Sequence, residues 1–193
     1  MNAARPTSAA SPRRADAERN RDKILAAARS AFEESGSDVS MAEISRRAGV
    51  GMATLYRNFA DRRALLEALY QGEVQVIVDA GENAQGDTPA ARLEHWLRGF
   101  LAFALNKRPF AAELLAHDDG DETMFDTSRA RVVAAGRPLL IAAQHAQEVR
   151  GDLSLEQVLD SVVAIAAIPG DARYRRPILA TFLDGLRLPE KRS

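Results

Sequence analysis

Thr54, Tyr56, Arg57 and Asn58 fall within five consecutive positions of the stretch AGVGMATLYRNF, residues 48–59. Together they offer two hydroxyls, a guanidinium and a carboxamide. Such groups hydrogen-bond phosphate oxygens and can reach base edges, so their chemistry suits a nucleic acid. Nothing elsewhere suits covalent chemistry as well. The chain has no cysteine, which removes disulfides, thiolate metal ligands and thiol nucleophiles. His95, His117 and His145 are far apart and match no metal-ligand spacing, and HDDGDE (117–122) lacks the alternating ligand order of a calcium loop. There is no phosphate loop, no Ser-His-Asp order and no pair of carboxylates with an obvious cleft. The sequence therefore predicts no metal, no cofactor and no enzyme.

The polar cluster needs a scaffold, and the flanking sequence supplies one. Ile24, Leu25, Ala28 and Phe32 lie on one face of a 3.6-residue period, and Gly36 follows as a stop. Ser40 with Glu43 has the spacing of a capping box and opens a two-turn helix edged by Ile44 and Ala48. Gly49 ends it. In the next helix Leu55 and Phe59 are four apart and face the core, leaving the polar residues on the other faces. Gly51 stands where a short helix favours a capping hydroxyl. Three short helices, the last two joined by a glycine-containing turn, match a helix-turn-helix. The major groove is about 12 Å wide and admits one such helix, exposed on one side and clamped on the other.

The rest of the chain is also helical. Asp61 is a cap, and Leu65, Leu66, Leu69, Tyr70 and Ile77 run a stripe to about Gly81. Thr88-Pro89 opens a helix carrying Leu93, Trp96, Leu97, Phe100, Leu101 and Phe103, followed by the short FAAELLAH. In the segment from Met124, Gly136 and Pro138 predict an interruption or a kink. Ser154 and Gln157 form a second capping box, opening LEQVLDSVVAIAAI, which is apolar almost all round and so predicted to be buried on more than one side. A last helix is predicted over about Arg176–Leu186. The fold class is all-α, with about nine helices, no strand and no repeat.

Charge divides the same way. Residues 1–67 hold 12 Arg and Lys against 9 Asp and Glu, a balance of +3; the remainder holds 14 against 18, or -4, giving the net -1. A basic head on an acidic body suits a polyanion partner. No apolar run approaches the ~20 residues of a membrane span. The start of the sequence has no apolar signal region, so a soluble cytoplasmic protein is expected.

The stretch VSMAEISRRAGVGMATLYRNFADRRALLEALY resembles the DNA-binding domain of TetR/AcrR-type transcriptional regulators. The resemblance rests on Ser40, Ile44, Ala48-Gly49-Val50, Thr54-Leu55-Tyr56 and Phe59, with ILAAARSAFEESG similar to the family's first helix. Arg62 stands in place of the usual lysine, Gly51 in place of the usual serine, and Ala42 where some members read a base. Further on, PLLIAAQHAQEVRGDLSLEQVL and FLDGLRL resemble one actinobacterial-style branch of the body domains. The resemblance implies phosphate anchors at Ser40, Thr54, Tyr56 and Arg62. It implies that Met52, Ala53, Arg57 and Asn58 face bases or the groove edge. It also implies a homodimer on a double-stranded DNA operator, with an all-helical body that binds a small-molecule effector.

Several residues keep a plainer alternative. Tyr56 could be core, and Arg62 and Arg63 could be a solvated pair. Trp96, Phe100, Phe103, Phe110, Leu114, His117 and Phe125 could line an effector pocket or simply fill the core. Val158, Val162, Ile165, Leu179, Phe182 and Leu183 could form a four-helix dimer interface or cover only their own domain. The expected organisation is a disordered basic tail over 1–15, a helix-turn-helix domain over 16–62, and an effector-binding and dimerisation domain over 63–193. The expected function is that of a repressor released by its effector. The rivals are an activator or architectural protein without an effector, and a helical enzyme.

Overall fold

The computed structural model describes residues 12–116 and 123–188. Among them it has nine α-helices, a 3-10 turn and no strand. One isolated antiparallel bridge joins Val149 and Arg187, with Arg150 N–H donating to the Leu186 carbonyl at 2.9 Å and Leu188 N–H to that of Glu148 at 3.0 Å. The chain divides into two compact units, Met1–Leu69 and Tyr70–Ser193. The division falls within the fourth helix, seven residues beyond the boundary expected at 62.

The first unit contains α1 (Pro12–Ser35), the 3-10 turn (Gly36–Asp38), α2 (Met41–Ala48), α3 (Met52–Asn58) and the opening of α4 (Arg62–Glu82). Helix α1 begins earlier than Arg14, and residues 12–15, expected in the tail, form its first turn. The tail's remaining positions, 1–11, lie outside the described residues. The core of this unit is Ile24, Ala28, Phe32, Ile44, Leu55, Phe59, Leu65 and Leu66, all buried. The apolar faces of α1, α2, α3 and the start of α4 thus meet on one cluster. Burying a side chain of this size stabilises by roughly 1.5–3 kcal/mol.

The second unit holds the rest of α4, then α5 (Pro89–Asn106), α6 (Arg108–Ala116), α7 (Thr123–His145), α8 (Leu155–Ala167) and α9 (Ala172–Leu186). Helix α5 is central and packs against α7 and α8, while α8 also packs against α9. Thr88 caps α5 by accepting from Ala91 N–H at 3.2 Å.

Two expectations fail here. Helix α7 runs unbroken through Gly136 and Pro138. The reason for Gly136 is space: a Cβ there would lie 2.1 Å from the Trp96 ring, so glycine lets α7 cross the buried indole. Helix α9 starts before Arg176, because the Asp171 carboxylate accepts from Tyr174 N–H at 2.8 Å and Pro177 is accommodated inside. Helix α8 packs against α5, α7 and α9, so it is covered from more than one side, and one strip of it stays open. Val158, Leu159 and Val162 are inside, but Val163 is 40% exposed, and Ala164 and Ala167 are exposed.

Candidate nucleic-acid interface and ligand cavity

The turn between α2 and α3 is fixed by local chemistry. Gly49 adopts φ 65°, a left-handed conformation that costs glycine little. Its N–H donates to the Arg46 carbonyl at 3.2 Å, and Val50 N–H to that of Ser45 at 3.1 Å. The buried Ser45 hydroxyl donates to the Val50 carbonyl at 2.6 Å. Ser40 caps α2, accepting from Glu43 N–H at 3.2 Å. The reciprocal half of the box is replaced. The Glu43 carboxylate instead accepts from Arg46 at 2.7 and 2.8 Å and from Arg47 at 2.7 Å. These hydrogen bonds, Arg46 first, lower its pKa to about 2. Arg47 also reaches Glu34 on α1 at 2.8 Å.

Helix α3 starts without a side-chain cap. Gly51 has ordinary extended backbone, and its carbonyl accepts from Thr54 and Leu55 N–H at 2.9 and 3.0 Å. Leu55 and Phe59 are fully buried and clamp the helix. Met52 at 38% and Tyr56 at 48% are exposed, as are Ala53 and Arg57, while Thr54 and Asn58 are half-buried. Arg57 donates to the Thr54 hydroxyl at 2.8 Å. Asn58 folds back on its own helix, donating to the Thr54 carbonyl at 2.8 Å. Its backbone carbonyl accepts from Arg21 at 3.4 Å, and that guanidinium sits 4.5 Å over the Phe59 ring.

The predicted anchors therefore differ in circumstance. Tyr56, Arg57, Met52 and Ala53 share an open edge, and Ser40 is exposed at the start of α2. Arg62 does not stand in the open: it donates to the Val39 carbonyl and lies 5.2 Å over the Phe32 ring, bracing α4 against α1. Arg63 pairs with Glu67 at 2.8 Å. Asp61 caps α4, accepting from Ala64 N–H at 2.8 Å. The two arginines at this helix start thus have protein partners and need no bound anion. Sequence reading missed the cations Arg21, Arg46 and Arg47. The signal was the RR pair in the last turn of α2, where positive charge complements the helix dipole.

The second unit holds a cavity of about 200 Å³ that is partly open to solvent. Phe100 and Phe103 of α5 and Phe125 of α7 line it, together with Tyr70, Val132, Leu159 and Val163. Its polar lining is Lys107, Asp126, Ser128 and Arg129, which sequence reading did not select. The Phe125 and Tyr70 rings meet edge to face at 5.1 Å. Ser128 donates to the Met124 carbonyl at 2.7 Å and accepts from Gln71 at 3.1 Å. Burial raises the Tyr70 phenol pKa, partly offset by its hydrogen bond to Ser128. Burial, then the charge of Arg129, lowers the Lys107 ammonium pKa.

Three other pocket candidates are core. Trp96 is fully buried, with its indole N–H donating to the Ile77 carbonyl at 3.0 Å. Phe110 and Leu114 are buried and do not line the cavity. His117 lies outside the described residues, as does the HDDGDE stretch. The dimer candidates also pack into this unit's own core. Val158, Val162, Ile165, Leu179 and Leu183 are buried within this chain, and Phe182 is half-buried. Their stripe closes the unit's own core, so the free surface of α8 and α9 belongs to other residues, including Val163 and Tyr174. Among the described residues, no group of His, Asp and Glu could hold a metal, and no helix is long and apolar enough to cross a membrane.

Comparison with known proteins agrees with this division. Residues 24–69 match the family described as bacterial regulatory proteins, tetR family. Residues 88–188, more than half of the chain, match the C-terminal domain of SbtR-like transcriptional regulators. The crystal structure of a TetR transcriptional regulator from Streptomyces coelicolor is 37% identical, with a TM-score of 0.72 over 86% of this chain and 98% of that one. A TetR transcription regulatory protein from Mycobacterium vanbaalenii is 31% identical, with a TM-score of 0.74 over 92% and 100%. An HTH-type transcriptional regulator of Staphylococcus aureus is 36% identical over 66 residues, 34% of this chain. The match spans 36% of that curated relative's length. With a tetR-type head and a regulator body matched within one sequence, the chain belongs to the tetR family of bacterial transcriptional regulators.

Proposed function

We propose that the protein is a DNA-binding repressor that works as a homodimer and leaves its operator when a small molecule enters the body. The observation that carries the DNA reading is the open edge of α3. Met52, Ala53, Tyr56 and Arg57 are exposed there, while Leu55 and Phe59 hold the helix from behind. A short helix presented this way fits the major groove. Tyr56 is the main phosphate anchor, with Ser40 and the Thr54 hydroxyl beside it. Arg57 and Asn58 reach bases once they exchange their contacts to Thr54 for DNA. Arg62 acts as a brace that sets the pose of the head.

Dimerisation uses the exposed sides of α8 and α9, where Val163 and the 59% exposed Tyr174 leave apolar surface open. An isologous contact is the usual solution. Two heads would then meet half-sites about 34–36 Å apart. The effector would favour a form whose heads are wrongly spaced, shifting the population away from DNA. Helix α4 supplies a covalent path, since it continues from the first unit to Tyr70 and Gln71 beside the cavity.

Gel shifts with the DNA upstream of its own gene test the reading. Specific retardation by a dimer is expected, and its absence sinks the proposal. An activator or architectural protein with no effector is the second reading, and a cavity of about 200 Å³ lined by aromatic rings favours the first. A thermal-shift screen in which no metabolite stabilises the protein would favour that second reading.

A further inference from the structure

The cavity in the second unit is chemically uneven. Phe100, Phe103, Val132 and Leu159 give it an apolar wall, and Lys107 and Arg129 bring two cations against the single carboxylate of Asp126. Arg129 is also engaged outward, 3.0 Å from Asp160. Lys107 is different. Among the described residues its ammonium pairs with no carboxylate and lies 4.8 Å from the Phe103 ring centroid. A half-buried ammonium facing aromatic carbon lacks the solvation that an anion would restore.

We infer that this cavity takes a small monocarboxylate bearing one aromatic ring, with its carboxylate on Lys107 and its ring against Phe100 and Phe103. The inference rests on the reading of the cavity as the effector site for its regulatory meaning, though not for binding itself. Three observations support it. Size is the first: a dry cavity of about 150 Å³ holds benzene, so about 200 Å³ leaves room for a carboxylate on a short linker. Charge is the second, because Lys107 and Arg129 together oppose a cationic ligand. The lowered ammonium pKa of Lys107, caused by burial and by Arg129, is the third, since a bound anion offsets the Arg129 repulsion and favours the charged ammonium. A neutral ring of the same shape would seal Lys107 away from water and give nothing back. Ser128 is not a further anchor, because it already donates to Met124 and accepts from Gln71.

The test is titration calorimetry on the full chain without DNA. The probes are benzoate, phenylacetate and 3-phenylpropanoate, their primary amides, and benzylamine. At least one acid should bind about tenfold tighter than its amide, and benzylamine should not bind. Lys107→Met should bring that acid down to the affinity of its amide, and Lys107→Arg should retain the preference. If circular dichroism shows that Lys107→Met does not fold, Lys107→Gln reads the same difference. Amides that bind as tightly as acids, no binding by any acid, or a preference that survives loss of the ammonium would each overturn the inference. An acid that binds but leaves operator DNA in place refutes the effector reading and spares this one. A neutral compound that occupies the cavity and releases DNA does the reverse.

Discussion

The edge of α3 and the cavity of the second unit are built on opposite plans. The edge comes from one run of seven residues, Met52–Asn58, and its side chains are placed by helical period alone. The cavity gathers Tyr70, Phe103, Phe125 and Leu159 from four helices, and none of them is placed until the helices cross. A surface for a repetitive polymer such as DNA can be made locally. An enclosed site for a small molecule needs walls on several sides, so it depends on tertiary packing. Damage should therefore separate the two.

Leu55→Ala and Gly136→Ala make the strongest test of that separation. Leu55 is fully buried in the first unit, and truncating such a leucine costs about 2–5 kcal/mol. The head should loosen and operator binding should vanish in gel shifts. Trp96 is the chain's single tryptophan and belongs to the second unit, so its emission should stay as in the parent. Gly136→Ala acts from the other side. Its methyl would meet the Trp96 ring at 2.1 Å, and overpacking costs about 1–3 kcal/mol, against about 1 kcal/mol gained in helix propensity. Trp96 emission should shift and the melting temperature should fall. If Leu55→Ala moves the tryptophan signal as much as Gly136→Ala does, the two units are not separate.

The same contrast explains what the sequence made legible. The helix-turn-helix was readable because the Ser40 cap and the Gly49 turn act through neighbours at most five residues away, and the four-residue spacing of Leu55 and Phe59 marks a buried face. Phe100, Phe103 and Phe125 were placed in the pocket on aromatic clustering. Trp96 satisfied the same criterion yet fills the notch at Gly136, 40 positions along the chain. No periodicity carries that information, and for the same reason Gly136 looked like a helix breaker. Lys107 was passed over because a lysine at a helix end ordinarily points to solvent. The dimer stripe was ambiguous for a related reason. An apolar helix face signals burial, but not whether the partner is another chain or the helix next door. In the head, the partners of Arg62, the Val39 carbonyl and the Phe32 ring, were hidden in the same way, being more than twenty positions distant.

Within the α3 edge, Tyr56 and Asn58 sharpen the comparison further. Tyr56 is exposed and Asn58 is folded onto Thr54. Tyr56→Phe removes one hydroxyl that would donate to a phosphate, a charged acceptor. Affinity should drop by about tenfold on every operator variant alike. Asn58→Ala should shift the preference among operator variants, with a smaller loss on the best site. Binding curves across a panel of point-changed operators separate the outcomes. If neither substitution has any effect, α3 is not the reading helix.

The smallest expected effect lies behind that edge, at Glu43. Its carboxylate pKa falls from 4.5 to about 2 because Arg46 and Arg47 hydrogen-bond the ionised form. A depressed carboxylate pKa stabilises the fold above its unfolded value and loses that contribution as pH falls through the folded one. The window therefore runs from about 4.5 down to about 2. The site is open to solvent, so the change should be slight and should shrink further in high salt. Glu43→Gln should flatten the stability profile of the head across that window; near neutrality it should lower the head's stability slightly, because the ionised carboxylate contributes there, and at the acid end it should match the parent. The body's cavity has no such dependence on Glu43, so carboxylate binding measured at neutral pH should be the same in Glu43→Gln as in the parent. A drop in ligand affinity from this exposed position would mean that the two plans of construction are coupled.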